Sequence, residues 1–269
     1  MRRLFFAAVF FSYITTSYCQ TATDDLSRGL AKMYLQDYSG AIQDFNKAIE
    51  INPKDAKAYY SRGIAKGNLQ DYRGAIEDYS KVIELNPKYA DAYDNRGIAR
   101  GNLQDYRGAI EDNSKVIELN PKYAAGYDNR GNTKSDLVDY RGAIEDYSKA
   151  IELNPKYAIA YYNRGNTKSN LLDYRGAIED YSKVIELNPK YAIAYYNRGI
   201  AKGNLQDYRG AIEDYSKVIE LNPKDTDAYY NRGLFKLQLN DKNGGCLDLS
   251  KAGELGLGKA YESIKQYCN

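Results

Sequence analysis

The sequence predicts an all-α solenoid of seven helix-turn-helix repeats closed by a C-terminal capping helix. Three observations carry that prediction. All six prolines, Pro53, Pro87, Pro121, Pro155, Pro189 and Pro223, stand 34 residues apart, and a fixed period of this size marks a repeat architecture. Within one period the apolar residues Ala75, Ile76, Tyr79, Val82 and Ile83 recur at helical spacing, which makes a single buried stripe. Start and stop signals flank that stripe. Asp71 can cap the free amides of the helix, and Asn86 precedes a proline that pushes it out of the α region.

The first element is a targeting segment. Arg2 and Arg3 form a positive head, Leu4 to Ile14 an apolar run, and Thr15 to Cys19 a polar end. The run is too short for a membrane-spanning helix, which needs about 20 residues. Ser17 and Cys19 suit a signal peptidase, so residues 1–19 are expected to be removed and Gln20 to open the mature chain. The alternatives are lipid attachment at Cys19, disfavoured by the bulky Tyr18, and an apolar N-terminal helix packed on the fold. The expectation is an exported protein, periplasmic or secreted, with no membrane insertion after cleavage.

The repeats follow as 22–55, 56–89, 90–123, 124–157, 158–191, 192–225 and a divergent 226–257. In the second, a first helix near 57–69 turns Tyr59, Gly63 and Leu69 inward, and a second helix near 73–85 carries the apolar stripe. Joined by so tight a turn the pair packs antiparallel, and its apolar face is too small to stand alone, so neighbours stack. In the seventh repeat Gly245 replaces alanine, Gly256 falls where the helix stops, and the proline is missing. Ala260, Tyr261, Ile264 and Tyr267 mark a last helix within 258–269 that caps the stack.

Tyr59, Gly63, Tyr72, Ala75, Tyr79, Val82 and Pro87 occupy the signature positions of the tetratricopeptide repeat, and residues 22–257 resemble that family in an exported bacterial form. The resemblance implies a right-handed superhelix whose first helices line a concave groove. Two positions depart from the family. Position 7 is always Arg and position 11 always Lys or Arg, where large apolar residues are usual. Position 23 is always Asp, and a buried cation needs a partner. Pairs are therefore predicted for Arg62–Asp78, Arg96–Asp112, Arg130–Asp146, Arg164–Asp180 and Arg198–Asp214, bidentate in form; the alternative is a basic ligand-binding ladder. Glycines at position 8, such as Gly63, are expected to face alanines at position 20, such as Ala75.

Two cysteines remain after cleavage. If helices 244–255 and 258–267 run antiparallel around Gly256, Cys246 and Cys268 end side by side and can oxidise in an exported protein. The alternative is that Cys246 fills a core position normally held by isoleucine.

Carried over from the family, the groove residues are Tyr60, Asp94, Asp128, Tyr162, Tyr196 and Tyr230 at position 5, Asn163, Asn197 and Asn231 at position 6, and Asn132, Asn166 and Ile200 at position 9. Tyrosine offers contact area at low entropy cost and asparagine both donates and accepts. Asp91, Asp94, Asp128 and Asp136 make an acidic middle, and Ile159, Ile193, Ile200 and the later tyrosines an apolar stretch. The alternative is that these tyrosines pack along neighbouring helices. No repeat has Lys or Arg at position 5 or 6, so the family's clamp for a C-terminal carboxylate is not expected.

The charge count excludes further functions. The chain has 38 Lys+Arg and 36 Asp+Glu; removing Arg2 and Arg3 leaves 36 against 36. Nucleic acid needs a basic excess that is missing here. With 0 His the commonest general base and zinc ligand are gone. The expectation is a non-catalytic scaffold for a protein or extended peptide, with no catalytic residue, no metal and no cofactor. The competing reading is an envelope spacer, supported by repeats that differ only at Ser61 against Asn197 over 59–88 and 195–224. The sequence does not fix the oligomeric state.

Overall fold

In the computed structural model residues 21–268 are described. The targeting segment expected over 1–19, including Cys19, and Asn269 lie outside them. The described residues form fifteen helices and no strand. A helix over 21–34 (α1) pairs with α2 (Tyr38–Ile51). The next pairs are α3 (Ala56–Asn68) with α4 (Tyr72–Leu85) and α5 (Ala90–Asn102) with α6 (Tyr106–Leu119). They are followed by α7 (Ala124–Asp136), α8 (Tyr140–Leu153), α9 (Ala158–Asn170), α10 (Tyr174–Leu187), α11 (Ala192–Asn204) and α12 (Tyr208–Leu221). The chain closes with α13 (Thr226–Gln238), α14 (Lys242–Glu254) and α15 (Lys259–Tyr267). It divides after Thr133 into two compact units. Within each unit helices pack mainly on their neighbours in sequence.

Local chemistry explains the helix ends. Asp37, Asp71, Asp105, Asp139, Asp173, Asp207 and Asp241 each accept a hydrogen bond from the amide three residues on, which satisfies a free donor of the second helix. The residue before each cap is left-handed, with φ between 61° and 65° from Gln36 to Asn240. Five of those seven positions hold Gln or Asn, and the others are Val138 and Leu172. Asparagine enters this conformation more readily than most residues, whereas a β-branched valine is strained there. Gly256, at φ 105°, turns α14 into α15.

The core is a stack of small residues under large ones. Ala41, Ala75, Ala109, Ala143, Ala177 and Ala211 are fully buried, as are Phe45, Tyr147, Tyr181 and Tyr215 beside them. Of the position-8 glycines, Gly29, Gly63, Gly165 and Gly199 face the rings of Phe45, Tyr79, Tyr181 and Tyr215 rather than the alanines expected from sequence, whereas Gly97 meets Asn113, Asp112 and the Ala109 carbonyl. A Cβ on Gly63 would stand 2.7 Å from Tyr79, and one on Gly165 2.9 Å from Tyr181. Two other apolar expectations fail. Leu69 falls past the end of α3, where the chain turns, and is exposed. On α15 the buried positions are Ala260 and Ser263, whereas Tyr261 and Tyr267 are exposed because only one side of this helix meets the stack.

Gly67 has nothing within 4 Å of a Cβ, and glycine inside a helix costs about 1 kcal/mol relative to alanine. Gly67→Ala is therefore expected to stabilise the protein by about 1 kcal/mol, and Gly63→Ala to destabilise it by about 1–3 kcal/mol through overpacking. Urea midpoints of the two variants on opposite sides of the native value check this.

Candidate functional site

The cations at position 7 are struts inside the stack. Arg62 donates through Nε and Nη2 to both oxygens of Asp78, at 2.9 and 2.6 Å, and through Nη1 to Asn46 of the preceding repeat at 2.6 Å. Arg96 does the same with Asp112 and Ser80, Arg164 with Asp180 and Ser148, and Arg198 with Asp214 and Ser182. Arg232 holds Asp248 and Ser216 in the same way. Each guanidinium also lies over a tyrosine ring three residues earlier, for example Tyr195 at 5.6 Å from Arg198. In the first unit Arg130 donates to Ser114 at 3.2 Å, and in the second Lys134 pairs with Asp146 at 2.7 Å.

Position 11 adds a second cation to the same carboxylate. Lys66 meets Asp78 at 2.9 Å, Arg100 meets Asp112 at 2.8 Å, and Lys202 meets Asp214 at 2.8 Å. Two cations on one buried carboxylate offset its lost hydration. These groups are engaged with one another and present no basic ladder to a ligand.

The position-5 tyrosines are half-buried, and their hydroxyls are occupied. Asn95 donates to Tyr60 at 2.9 Å, Asn197 to Tyr162 at 3.2 Å, and Asn231 to Tyr196 at 3.0 Å. Tyr230 shares a hydrogen bond with Ser263 of α15 at 3.2 Å. Positions 5 and 6 thus form a ladder between successive first helices. Burial, the nearby Asp91 charge and other anions raise the Tyr60 hydroxyl to about 12, against the opposing hydrogen bond from Asn95. Asp94 joins the ladder by accepting from Asn129 at 2.8 Å. Its carboxyl is raised above the ordinary Asp range, first by burial and then by the Asp91 charge, against the pull of the Asn129 hydrogen bond.

One groove assignment is corrected. Asp128 is 3% exposed and receives a hydrogen bond from Asn132 at 3.3 Å, so it faces the interior rather than a ligand. Asn163 and Asn166 lie half-buried on α9. Asn166 accepts from the Tyr181 hydroxyl at 2.8 Å and from Asn197 at 3.1 Å.

What stays open on the first-helix faces is a set of hollows between consecutive repeats. In the first unit Ile64, Gly67, Asn68, Asn95 and Ile98 line one. In the second, Asn166, Ser169, Asn170, Asn197 and Ile200 line another. A third, of about 370 Å³, is bounded by Ile193, Tyr196, Val218, Asp225 and Asp227. The two aspartates, the N-cap of α13 and a residue of its first turn, were not among the groove residues named from sequence. Ile159, Ile193 and Ile200 are 56%, 41% and 37% exposed along these helices.

Among the described residues no group of three or more His, Cys, Asp or Glu is placed to hold a metal. No helix among them is long and apolar enough to cross a membrane. Cys246 and Cys268 are joined as a disulfide, with Cα atoms 5.8 Å apart.

This architecture is that of a repeat protein whose helix pairs expose one face for contact. The family model of the tetratricopeptide repeat matches residues 56–89, 158–191 and 192–225, and a related TPR model matches 29–70 and 139–171. The chain belongs to the tetratricopeptide repeat family. No curated protein matches it. Among solved structures, the MamA protein is 27% identical with a TM-score of 0.58, over 64% of this chain and 94% of that one. YrrB, described as a TPR protein with an unusual peptide-binding site, is 25% identical with a TM-score of 0.57, over 68% and 95%. The C-terminal part of a TPR repeat-containing protein from Cytophaga hutchinsonii shares the fold at a TM-score of 0.77 and 19% identity, over 89% and 99%.

Proposed function

We propose that this protein is a non-catalytic scaffold that binds an extended protein segment along the first-helix faces of its repeats. The observation that carries this reading is the exposure of Ile159, Ile193 and Ile200 on helices whose inward alanines are fully buried. Apolar side chains beside hollows lined by amide groups offer both contact area and hydrogen bonds to an incoming backbone. The fold is one that generally serves binding, and a structural neighbour, YrrB, carries a peptide-binding site.

The protein is further proposed to be exported, with residues 1–19 removed. The basic head of that segment and the Cys246–Cys268 bridge both support an oxidising compartment. Neutrality of the mature chain argues against nucleic acid as partner.

The direct test compares the native protein with an Ile159→Asp, Ile193→Asp, Ile200→Asp variant in affinity capture from an envelope extract. These residues are exposed, so the variant is expected to keep its circular dichroism spectrum. A discrete partner retained by the native chain and lost by the variant is the expected result. Equal capture by both sinks the reading and returns the protein to the class of envelope spacers.

A further inference from the structure

The third repeat breaks the internal pattern at two adjoining positions. In the second, fifth and sixth repeats a position-5 tyrosine leans on a position-24 tyrosine. The ring centroids are 5.9 Å apart for Tyr60–Tyr79, 6.2 Å for Tyr162–Tyr181 and 5.5 Å for Tyr196–Tyr215. In the third repeat the two residues are Asp94 and Asn113. Asn113 is 2% exposed, and its Oδ1 has no hydrogen-bond partner among the described residues. That oxygen faces Gly97, where an added Cβ would lie 3.0 Å away, one turn beyond Asp94 on α5. An acceptor without a donor therefore replaces the larger ring that fills this position in neighbouring repeats. Leaving such a group unsatisfied destabilises the fold.

Above it, Asp94 is half-buried and Asp91, one turn earlier, is exposed; neither makes an ion pair among the described residues. Aromatic rings frame them. Tyr60 and Tyr89 have centroids 5.1 Å apart, and Tyr123, 40% exposed, is close enough for both carboxylates to act on its hydroxyl. Carboxylates with tyrosine rings suit a cation with several N–H donors. The seventh repeat shows the same positions filled. There Lys259 of α15 lies 3.5 Å from Asp227 and 4.4 Å from the ring centre of Tyr230, and those residues are the counterparts of Asp91 and Asp94.

We propose that Asp91 and Asp94, with Asn113 beneath and Tyr60, Tyr89 and Tyr123 around them, receive a Lys or Arg side chain of an extended protein segment bound on the first-helix face of the first unit. The inference rests on the scaffold reading and names the chemistry of its partner. A side chain carried by a polypeptide is favoured over a free amine because the hollow of Ile64, Gly67 and Ile98 opens on the same helices and can take a neighbouring apolar residue of that segment.

The experiment is selection of a displayed library of random short peptides on the protein, followed by affinity measurement. The expected result is a set of binders sharing one Lys or Arg. Replacing that residue by Gln, or using the Asp91→Asn, Asp94→Asn protein, weakens binding by about tenfold or more. A second variant, Asn113→Tyr, installs the ring found at the same position as Tyr79 and Tyr181. It is expected to raise Tm while weakening the same peptides, an outcome that loss of folding cannot produce. Binders without a basic residue, or binding unchanged in the Asn variants, overturn the cation site and leave the scaffold reading standing. Displacement of the peptide by spermidine at equal concentration assigns the site to a free polyamine and overturns the proposal. Absence of any enriched peptide overturns both readings.

Discussion

Replacing Arg198 by alanine is expected to destabilise the unit that begins at Lys134 by about 3–5 kcal/mol, the range for breaking a buried ion pair by removing one partner. The magnitude follows from what the guanidinium holds. It binds both oxygens of Asp214, the Ser182 hydroxyl of the preceding repeat, and the face of the Tyr195 ring. Asp214 is 3% exposed and would keep only Lys202 at 2.8 Å. A buried carboxylate left with half its partners is worse than no carboxylate at all. Replacing all three charges together, as Arg198→Met, Lys202→Met, Asp214→Leu, is accordingly expected to recover most of the loss. Urea unfolding of the two variants decides the matter. A loss below about 1 kcal/mol for Arg198→Ala would reduce the strut to the standing of a surface salt bridge.

Opening the Cys246–Cys268 bridge is expected to lower stability by about 3 kcal/mol in the chain-entropy model. The bridge spans 22 residues and fastens α15 to α14. Without it the cap is held by Ala260, by the Tyr230–Ser263 hydrogen bond and by Lys259 against Asp227. The last of these is exposed and contributes little. Thermal unfolding with and without reductant, and of a Cys246→Ser, Cys268→Ser variant, measures the effect. Hydrogen exchange at α15 is expected to rise in the reduced protein before the rest of the unit opens. An unchanged Tm would show that the cap docks equally well unlinked.

The repeat and its caps were legible in sequence because they depend on local chemistry repeated in phase. Proline, the capping aspartate and the apolar stripe each act within one helix. The Arg–Asp pairing was legible for a similar reason, since two uniform ladders of opposite charge stand a fixed distance apart. What escaped was the third dimension of that pairing. Nothing in a single repeat says that Arg198 also reaches Ser182 of the preceding repeat, and pairing the Arg and Asp ladders alone left out Lys202, which shares Asp214 within one repeat. The position-8 glycines were matched to alanines by residue size, whereas the space they leave belongs to the rings of Tyr79 and Tyr181. The groove tyrosines were placed on the right helices but taken as free contact surface. Their hydroxyls are tied to asparagines 35 residues on, a register that only the stacking of first helices creates. Asp128 was misread on the same account: it is buried, although Asp94 at the same repeat position stays half-buried.

The spans of these bonds govern how the chain reaches its structure. Struts close over 16 residues and ladder bonds over 35. Each pair of repeats can therefore assemble as soon as both are present, without waiting for a distant segment to return. Loop closure over such lengths is rapid, and helical chains rich in local contacts fold on the order of milliseconds or faster. A chain that emerges N-terminus first can thus fold behind its leading edge, each new repeat docking on the last.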